Sequence, residues 1–183
     1  RAKSQEEKGF RYSYDMLGEA ACNEKDSKYY FDSYLNSIIA IGKDSSGDGP
    51  TMGPGVSVKL SALHPRYEYR CKERVMSELY PRLLELALEA KRYNIGFTID
   101  AEEADRLEIF MDIFEKLISD ESIRGWSGIG LAVQAYQKRA VPLIKWLGAL
   151  TRKYDQHIML RLVKGAYWDS EIKASQINGL DDY

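Results

Sequence analysis

Residues 56–61 read Val-Ser-Val-Lys-Leu-Ser, a strict alternation of apolar and polar side chains. Successive residues of a strand point to opposite faces. Val56, Val58 and Leu60 therefore share one face, and Ser57, Lys59 and Ser61 share the other. Three later runs keep the same phase, at Ile95–Asp100, Ile129–Val133 and Ile158–Val163. In each, one face is apolar: Phe97 and Ile99; Ile129, Leu131 and Val133; Ile158, Leu160 and Leu162. The opposite face is small or apolar at its start and turns polar at or just past the strand end. It finishes on Lys59, Asp100, Gln134 and Arg161. An open doubly wound sheet carries helices on both faces and requires both to be apolar. A (βα)8 barrel of the TIM type packs only its outer face against helices and gathers polar groups at the carboxyl ends of its strands. The shared phase selects the barrel and predicts that these four side chains converge at its mouth. A structural ring of ion pairs, with Lys59 neutralising Asp100, is the alternative.

Working outward, each β-type run is followed by a stretch of helical period. A first run at Arg11–Met16 precedes a helix with apolar residues at Tyr30, Tyr34, Ile38 and Ile41. Residues 42–55, rich in Gly, Ser, Asp and Pro, read as a loop. A helix from about Cys71 to Tyr93 carries Val75, Leu79, Leu83 and Ala87 on one face, with Pro81 expected to kink or divide it. Later helices carry Ile109, Ile113, Phe114 and Leu117, then Leu143, Leu147, Leu150 and Tyr154, and a last one starts near Asp169. Strict alternation of strand and helix implies a parallel sheet. About five βα units are present, against the eight of a full barrel, which takes about 250 residues.

The chain has 183 residues, of which 44% are hydrophobic and 30% charged, which suits one globular core. Its formal net charge is −2 and its basic residues are scattered among acids, so nothing outlines a nucleic-acid footprint. Cys22 and Cys71 stand alone, outside any CxxC or CxxH spacing, and fit a reducing compartment better than a disulfide framework. No apolar run reaches the roughly 18 residues of a membrane span, and no signal peptide is visible. The opening on Arg1 and the ending on Leu180-Asp-Asp-Tyr183 mark the chain as an expected piece of a longer protein.

Several motifs compete for the chemistry. Asp100-Ala-Glu-Glu-Ala-Asp105 has the oxygen ligands of a hard-cation site. It also reads as a strand-end acid followed by acids in a helix's first turn, where the dipole favours them, and no metal is expected. The glycines of residues 53–55 and 125–130 precede strands, whereas a phosphate-cradling loop follows one. His64, just past the second strand, reads as a loop-ordering histidine before a general base. His157 precedes a strand, at the wrong end of a barrel for chemistry. Arg161-Leu-Val-Lys-Gly-Ala-Tyr-Trp-Asp169 packs two cations, a glycine and two large aromatics into a strand end, with Asp169 expected as a helix N-cap. Cations beside aromatic faces suit an anionic, aromatic ligand such as a dinucleotide cofactor.

Tyr12–Glu19, Val58–Tyr67, Ile99–Glu108, Gln134–Arg139 and Arg161–Glu171 together resemble the proline dehydrogenase domain of bifunctional bacterial proline-utilization flavoenzymes, and the resemblance runs from Phe10 to the end. It implies a distorted (βα)8 barrel holding FAD non-covalently, of which residues 1–183 are the N-terminal part. The implied reaction oxidises L-proline to pyrroline-5-carboxylate by hydride transfer to the flavin, the first step of proline catabolism to glutamate. The resemblance further implies a membrane quinone as electron acceptor, a fused aldehyde dehydrogenase domain, and a cytoplasmic protein peripheral to the inner membrane. By the same resemblance Arg161 corresponds to an arginine beside flavin N5. Lys59 and Asp100 correspond to the paired lysine and aspartate beneath the substrate, Gln134 to a flavin-ring contact, and Glu19 to a gate acid. Val163, Lys164, Gly165, Ala166, Tyr167 and Trp168 match the stretch wrapping the flavin and its phosphate-adenine half. Two carboxylate-clamping arginines of the family lie past Tyr183. Two rivals remain from the residues alone: a Schiff-base barrel enzyme of the aldolase type using Lys59 or Lys164, and a non-catalytic barrel-like binding module.

Overall fold

A computed structural model describes residues 2–16 and 18–180. Its elements run α1 (Ala2–Glu6), β1 (Ser13–Asp15), α2 (Glu24–Asp44), α3 (Gly49–Met52), β2 (Gly55–Val58), α4 (Leu60–Leu63), α5 (Lys72–Arg92), β3 (Gly96–Ile99), α6 (Leu107–Ser119), β4 (Ile129–Gln134), α7 (Ala140–Tyr154), β5 (Met159–Val163) and α8 (Trp168–Ile177). Short 3-10 turns precede α5 and α6.

The five strands form one sheet in the order β1-β2-β3-β4-β5, and every neighbouring pair is parallel. This order separates the two architectures left open by strand-helix alternation. A doubly wound sheet reverses its strand order and receives helices on both faces. Here each crossover moves one strand in the same direction, and right-handed crossovers then deliver every helix to one face. The sheet is a barrel-like wall.

The outer layer follows from the apolar phase. Val56, Val58, Phe97, Ile99, Ile129 and Leu131 are all fully buried. Against them pack Tyr34 and Ile38 of α2, Val75, Leu79 and Leu83 of α5, Ile109, Ile113, Phe114 and Leu117 of α6, and Leu143 and Leu147 of α7. At the start of α2, Asn23 accepts the Asp26 N–H at 3.0 Å and so satisfies one of the free donors of the first turn. α5 stays one helix despite Pro81. The proline removes one backbone donor, but Val75, Leu79, Leu83 and Leu86 are all fully buried and hold both halves to the same surface.

Four local expectations change. Part of the 42–55 stretch is helical, because α2 runs on to Asp44 and the short α3 opens on Gly49 and Pro50, with the proline in the first turn, where its missing N–H costs nothing. β2 ends at Val58, and Leu60 turns into α4, where Leu60 and Leu63 are both buried. Tyr167, not Asp169, stands at the N-cap of α8, and Asp169 lies within its first turn. Finally, the outer face of β5 is not covered: Leu160 is 44% exposed and Leu162 58%. The helix after β5 leans instead on the loops beyond β3 and β4, where Glu171 accepts the Ala104 N–H at 2.6 Å and also the Tyr136 hydroxyl.

Candidate active site

The inner face of the sheet is a hydrogen-bonded array. At its base Ser13 of β1 and Ser57 of β2 share a hydrogen bond of 2.9 Å between hydroxyls. Arg161 of β5 reaches across the sheet and donates through Nη2 to both, at 2.9 Å and 2.7 Å. Its other nitrogen, Nη1, donates to Asp100 Oδ1 at 3.0 Å. Asp100 sits one residue past β3, where its own N–H donates to Val58 O at 2.9 Å and continues the parallel ladder.

Lys59 follows β2 in extended conformation. Its backbone N–H donates to the hydroxyl of Tyr34 at 3.1 Å, so a fully packed residue of α2 pins the chain from the outer side. Burial pushes the Tyr34 hydroxyl up to about 12, against the opposing pull of the Lys59 N–H and ammonium. The Lys59 ammonium donates to Asp15 Oδ2 at 2.9 Å and lies 3.5 Å from Asp100 Oδ2. Burial pulls its pKa down, but hydrogen bonding and charge from Asp15, then the charge of Asp100, outweigh burial and leave it above the ordinary lysine value. Burial pushes the Asp100 carboxyl up against the opposing pull of Arg161 and Lys59. The expected Lys59–Asp100 pair is therefore present but is the longer of two. Asp15, which the sequence reading did not single out, is the nearer partner, and Asp100 is shared with Arg161. The missed signal is phase: Asp15 lies two residues after Ser13, at the carboxyl end of β1.

Gln134 closes the array on the β4 side. It is buried, and its Nε2 donates to Glu102 O at 2.8 Å, while its Oε1 is buried with no partner. Glu102 lies ahead of the helix and not in its first turn, and it is buried, taking the Ser61 N–H at 3.0 Å and facing Arg106 at 3.1 Å. Burial raises its carboxyl, with the Ser61 hydrogen bonds opposing.

The segment after β5 folds over this end. Val163 O and Lys164 O accept the N–H groups of Ala135 and Tyr136, at 2.7 Å and 3.2 Å. Gly165 has a φ of +120°, and a Cβ there would collide with the Tyr136 ring and approach Gln134 Oε1, so glycine is required. Asp15, Glu19, Lys59, Asp100, Gln134, Arg161, Val163, Gly165, Ala166 and Tyr167 line one open cleft. Burial pushes the Tyr167 hydroxyl well up, with the charge of Glu19 adding to it. Lys164 and Trp168 stand outside that lining, the ammonium 5.2 Å above the indole ring. His64 takes the loop-ordering role: Nδ1 accepts the Arg66 N–H at 3.0 Å, and Nε2 pairs with Glu78 at 3.0 Å. His157 is exposed at the amino end of β5. Cys22 and Cys71 are free thiols.

The family profile described as proline dehydrogenase matches residues 1–183. The chain belongs to the proline dehydrogenase family. It is 57% identical over 182 residues to the bifunctional protein PutA of Escherichia coli strain K12, covering all of this chain and 14% of that protein. It is 52% identical to the PutA of Rhizobium meliloti, covering 15% of it. The crystal structure of Bradyrhizobium japonicum PutA (a D779Y mutant) superposes with a TM-score of 0.91 at 54% identity, over 94% of this chain and 18% of that one. The chain thus spans about one seventh of the PutA proteins it matches. The family match spans all five strands of the parallel sheet. No helix among the described residues is long and apolar enough to cross a membrane.

Proposed function

We propose that this chain is the first five βα units of a closed eight-unit barrel that holds FAD and oxidises L-proline to pyrroline-5-carboxylate. The observation that carries this reading is the array Asp15–Lys59–Asp100–Arg161 at the carboxyl ends of adjacent strands, beside an acceptor, Gln134 Oε1, that is buried without a donor. Such an acceptor asks for an N–H from a ligand, and a flavin ring carries one. Residues 163, 165 and 166 bring backbone and small side chains to the same wall and leave room for a flat ring.

Bound FAD would supply the acceptor for a hydride from the proline ring carbon beside nitrogen. Everything else falls to side chains. Lys59, kept protonated by two carboxylates, meets the substrate carboxylate. Arg161 sets a fixed positive charge in the cleft, which favours arrival of an electron pair there. Asp100 holds Arg161 and shares Lys59, and Glu19 stands at the rim. A Schiff-base role asks for a lysine with a depressed pKa. Lys59 is shifted the other way, and Lys164 lies outside the cleft.

The relatives named as bifunctional support a second catalytic domain in the parent protein, which we read as an aldehyde dehydrogenase completing the route to glutamate. A membrane quinone is the proposed electron acceptor, met at the cytoplasmic face of the inner membrane. The test uses the full-length protein. Its visible spectrum should show bound flavin, and anaerobic addition of proline should bleach it. A protein without flavin absorbance, or flavin that proline leaves oxidised, contradicts the proposal.

A further inference from the structure

Glu19 has an unusual mount. The residue before it, Gly18, has a φ of +136°, and a Cβ there would collide with the Tyr30 ring, so glycine is required. The residue after it, Ala20, has a φ of +53°. Three described non-glycine residues adopt positive φ, and the other two are Asn94 and Asp155, types that tolerate the left-handed region. Alanine has no side-chain hydrogen bond to offset the clash of its Cβ with the backbone. Something else must hold the turn.

That support is Ser61. Its hydroxyl accepts the Ala20 N–H at 3.0 Å, and its carbonyl accepts the Ala21 N–H at 2.9 Å. Ser61 is 2% exposed, and its own N–H is taken by the buried carboxylate of Glu102 at 3.0 Å. Glu102 is held in turn by Arg106, and its carbonyl takes the Gln134 amide. The turn bearing Glu19 is thereby tied to the wall bearing Gln134 through two buried residues, neither of which lines the cleft.

We infer that Ser61, anchored by Glu102, is a positioning residue that latches the 18–21 turn in its strained conformation and so holds the Glu19 carboxylate at the mouth of the cleft. This rests on the functional reading above only for what Glu19 meets, the incoming amino acid. Without the latch, Ala20 relaxes to negative φ and Glu19 swings away. The array of Lys59, Asp100 and Arg161 does not hang from the turn and stays in place.

The test compares five forms of the full-length protein: unmutated, Ser61→Ala, Ala20→Gly/Ser61→Ala, Glu19→Ala, and Glu19→Ala/Ser61→Ala. Hydrogen exchange should show the Ala20 and Ala21 amides protected in the unmutated protein and the Ala20 amide unprotected in Ser61→Ala. KM for proline should rise about fivefold to tenfold in Ser61→Ala, the size of one lost hydrogen bond, while kcat stays nearly constant. Adding Ala20→Gly should bring KM back, since glycine holds positive φ without strain. A general loss of stability would instead be worsened by the more flexible glycine. In the Glu19→Ala background Ser61→Ala should change KM no further. Should Ser61→Ala fail to fold, Ser61→Cys keeps the shape with a weak acceptor and is expected to shift KM in the same direction. An unchanged KM with lost protection, no recovery on adding glycine, or full additivity with Glu19→Ala overturns the latch. Flavin left oxidised by proline in the unmutated protein would sink the functional reading instead, and the amide protection would still decide whether Ser61 holds the turn.

Discussion

The two faces of the sheet are built from alternate residues of the same strands, yet they obey different rules. On the outer face Val56, Val58, Phe97, Ile99, Ile129 and Leu131 are fully buried, and nothing but shape and apolar area decides what fits. On the inner face Ser13, Ser57, Asp100 and Arg161 touch through donors and acceptors at 2.7–3.0 Å, and identity decides. A parallel sheet covered on both sides could not keep those groups. The inner face keeps them because every crossover delivers its helix to the other side. The contrast predicts that outer-face substitutions lower stability without touching specific chemistry, and inner-face substitutions do the reverse.

The largest effect should come from the outer face. Phe97→Ala in the full-length protein should cost about 3–5 kcal/mol of stability, read as a lower denaturation midpoint. The fraction that stays folded should keep its affinity for proline. A change in proline affinity at intact stability would break the division between the faces. Next comes Lys59→Met. It removes a charge-assisted partner worth on the order of 1.5–3 kcal/mol, and proline turnover should fall by that measure while flavin content holds. Unchanged turnover would show that Lys59 only neutralises its neighbours, as the structural-ring alternative holds. Asp15→Asn sharpens the picture further. Because Asp15 is the nearer partner of Lys59, this change should raise KM more than Asp100→Asn does, whereas Asp100→Asn, which frees Arg161, should act more on the rate of flavin reduction. Equal splits would mean that the two carboxylates are interchangeable.

The smallest effect lies away from both faces, at the end of α6. Asp120 accepts the Ser122 hydroxyl at 2.5 Å, the Ser122 N–H at 2.9 Å and the Tyr80 hydroxyl at 2.8 Å. These bonds, Ser122's first, hold its carboxyl below the ordinary value. Its contribution is therefore present above the usual aspartate pKa of about 3.9 and is lost as pH falls through the lower folded value. Asp120→Asn should be slightly less stable than the unmutated protein at neutral pH, and the gap should close in acid. A gap that persists in acid would assign the loss to packing.

How far the sequence could be read depends on what sets each feature. The convergence of Lys59, Asp100, Gln134 and Arg161 was legible because a period of two, carried past a strand end, leaves little freedom. Asp15 obeys the same rule but was hidden. β1 is three residues long, and flanking tyrosines on its other face look no more apolar than a loop. Glu102 was misread because acids after a strand usually serve a helix dipole, and only the fold brings the Ser61 N–H to it. Leu160 and Leu162 show the converse. Their apolar character marks the outer phase correctly, but burial needs a covering helix, and Glu171 of α8 instead accepts hydrogen bonds from Ala104 and Tyr136 beyond β3 and β4. Arg1, Leu17 and residues 181–183 lie outside the described residues.

The central claim is that the inner array is a redox site, with Arg161 as its fixed positive charge, and the midpoint potential of the bound flavin tests it most directly. Arg161→Met in the full-length protein should retain flavin and show a more negative potential. Its reduction by proline should be slower by about 2.7–4 kcal/mol of lost transition-state stabilisation. A potential that stays where it was, with flavin still bound, would place Arg161 away from the electron-accepting group and contradict the account.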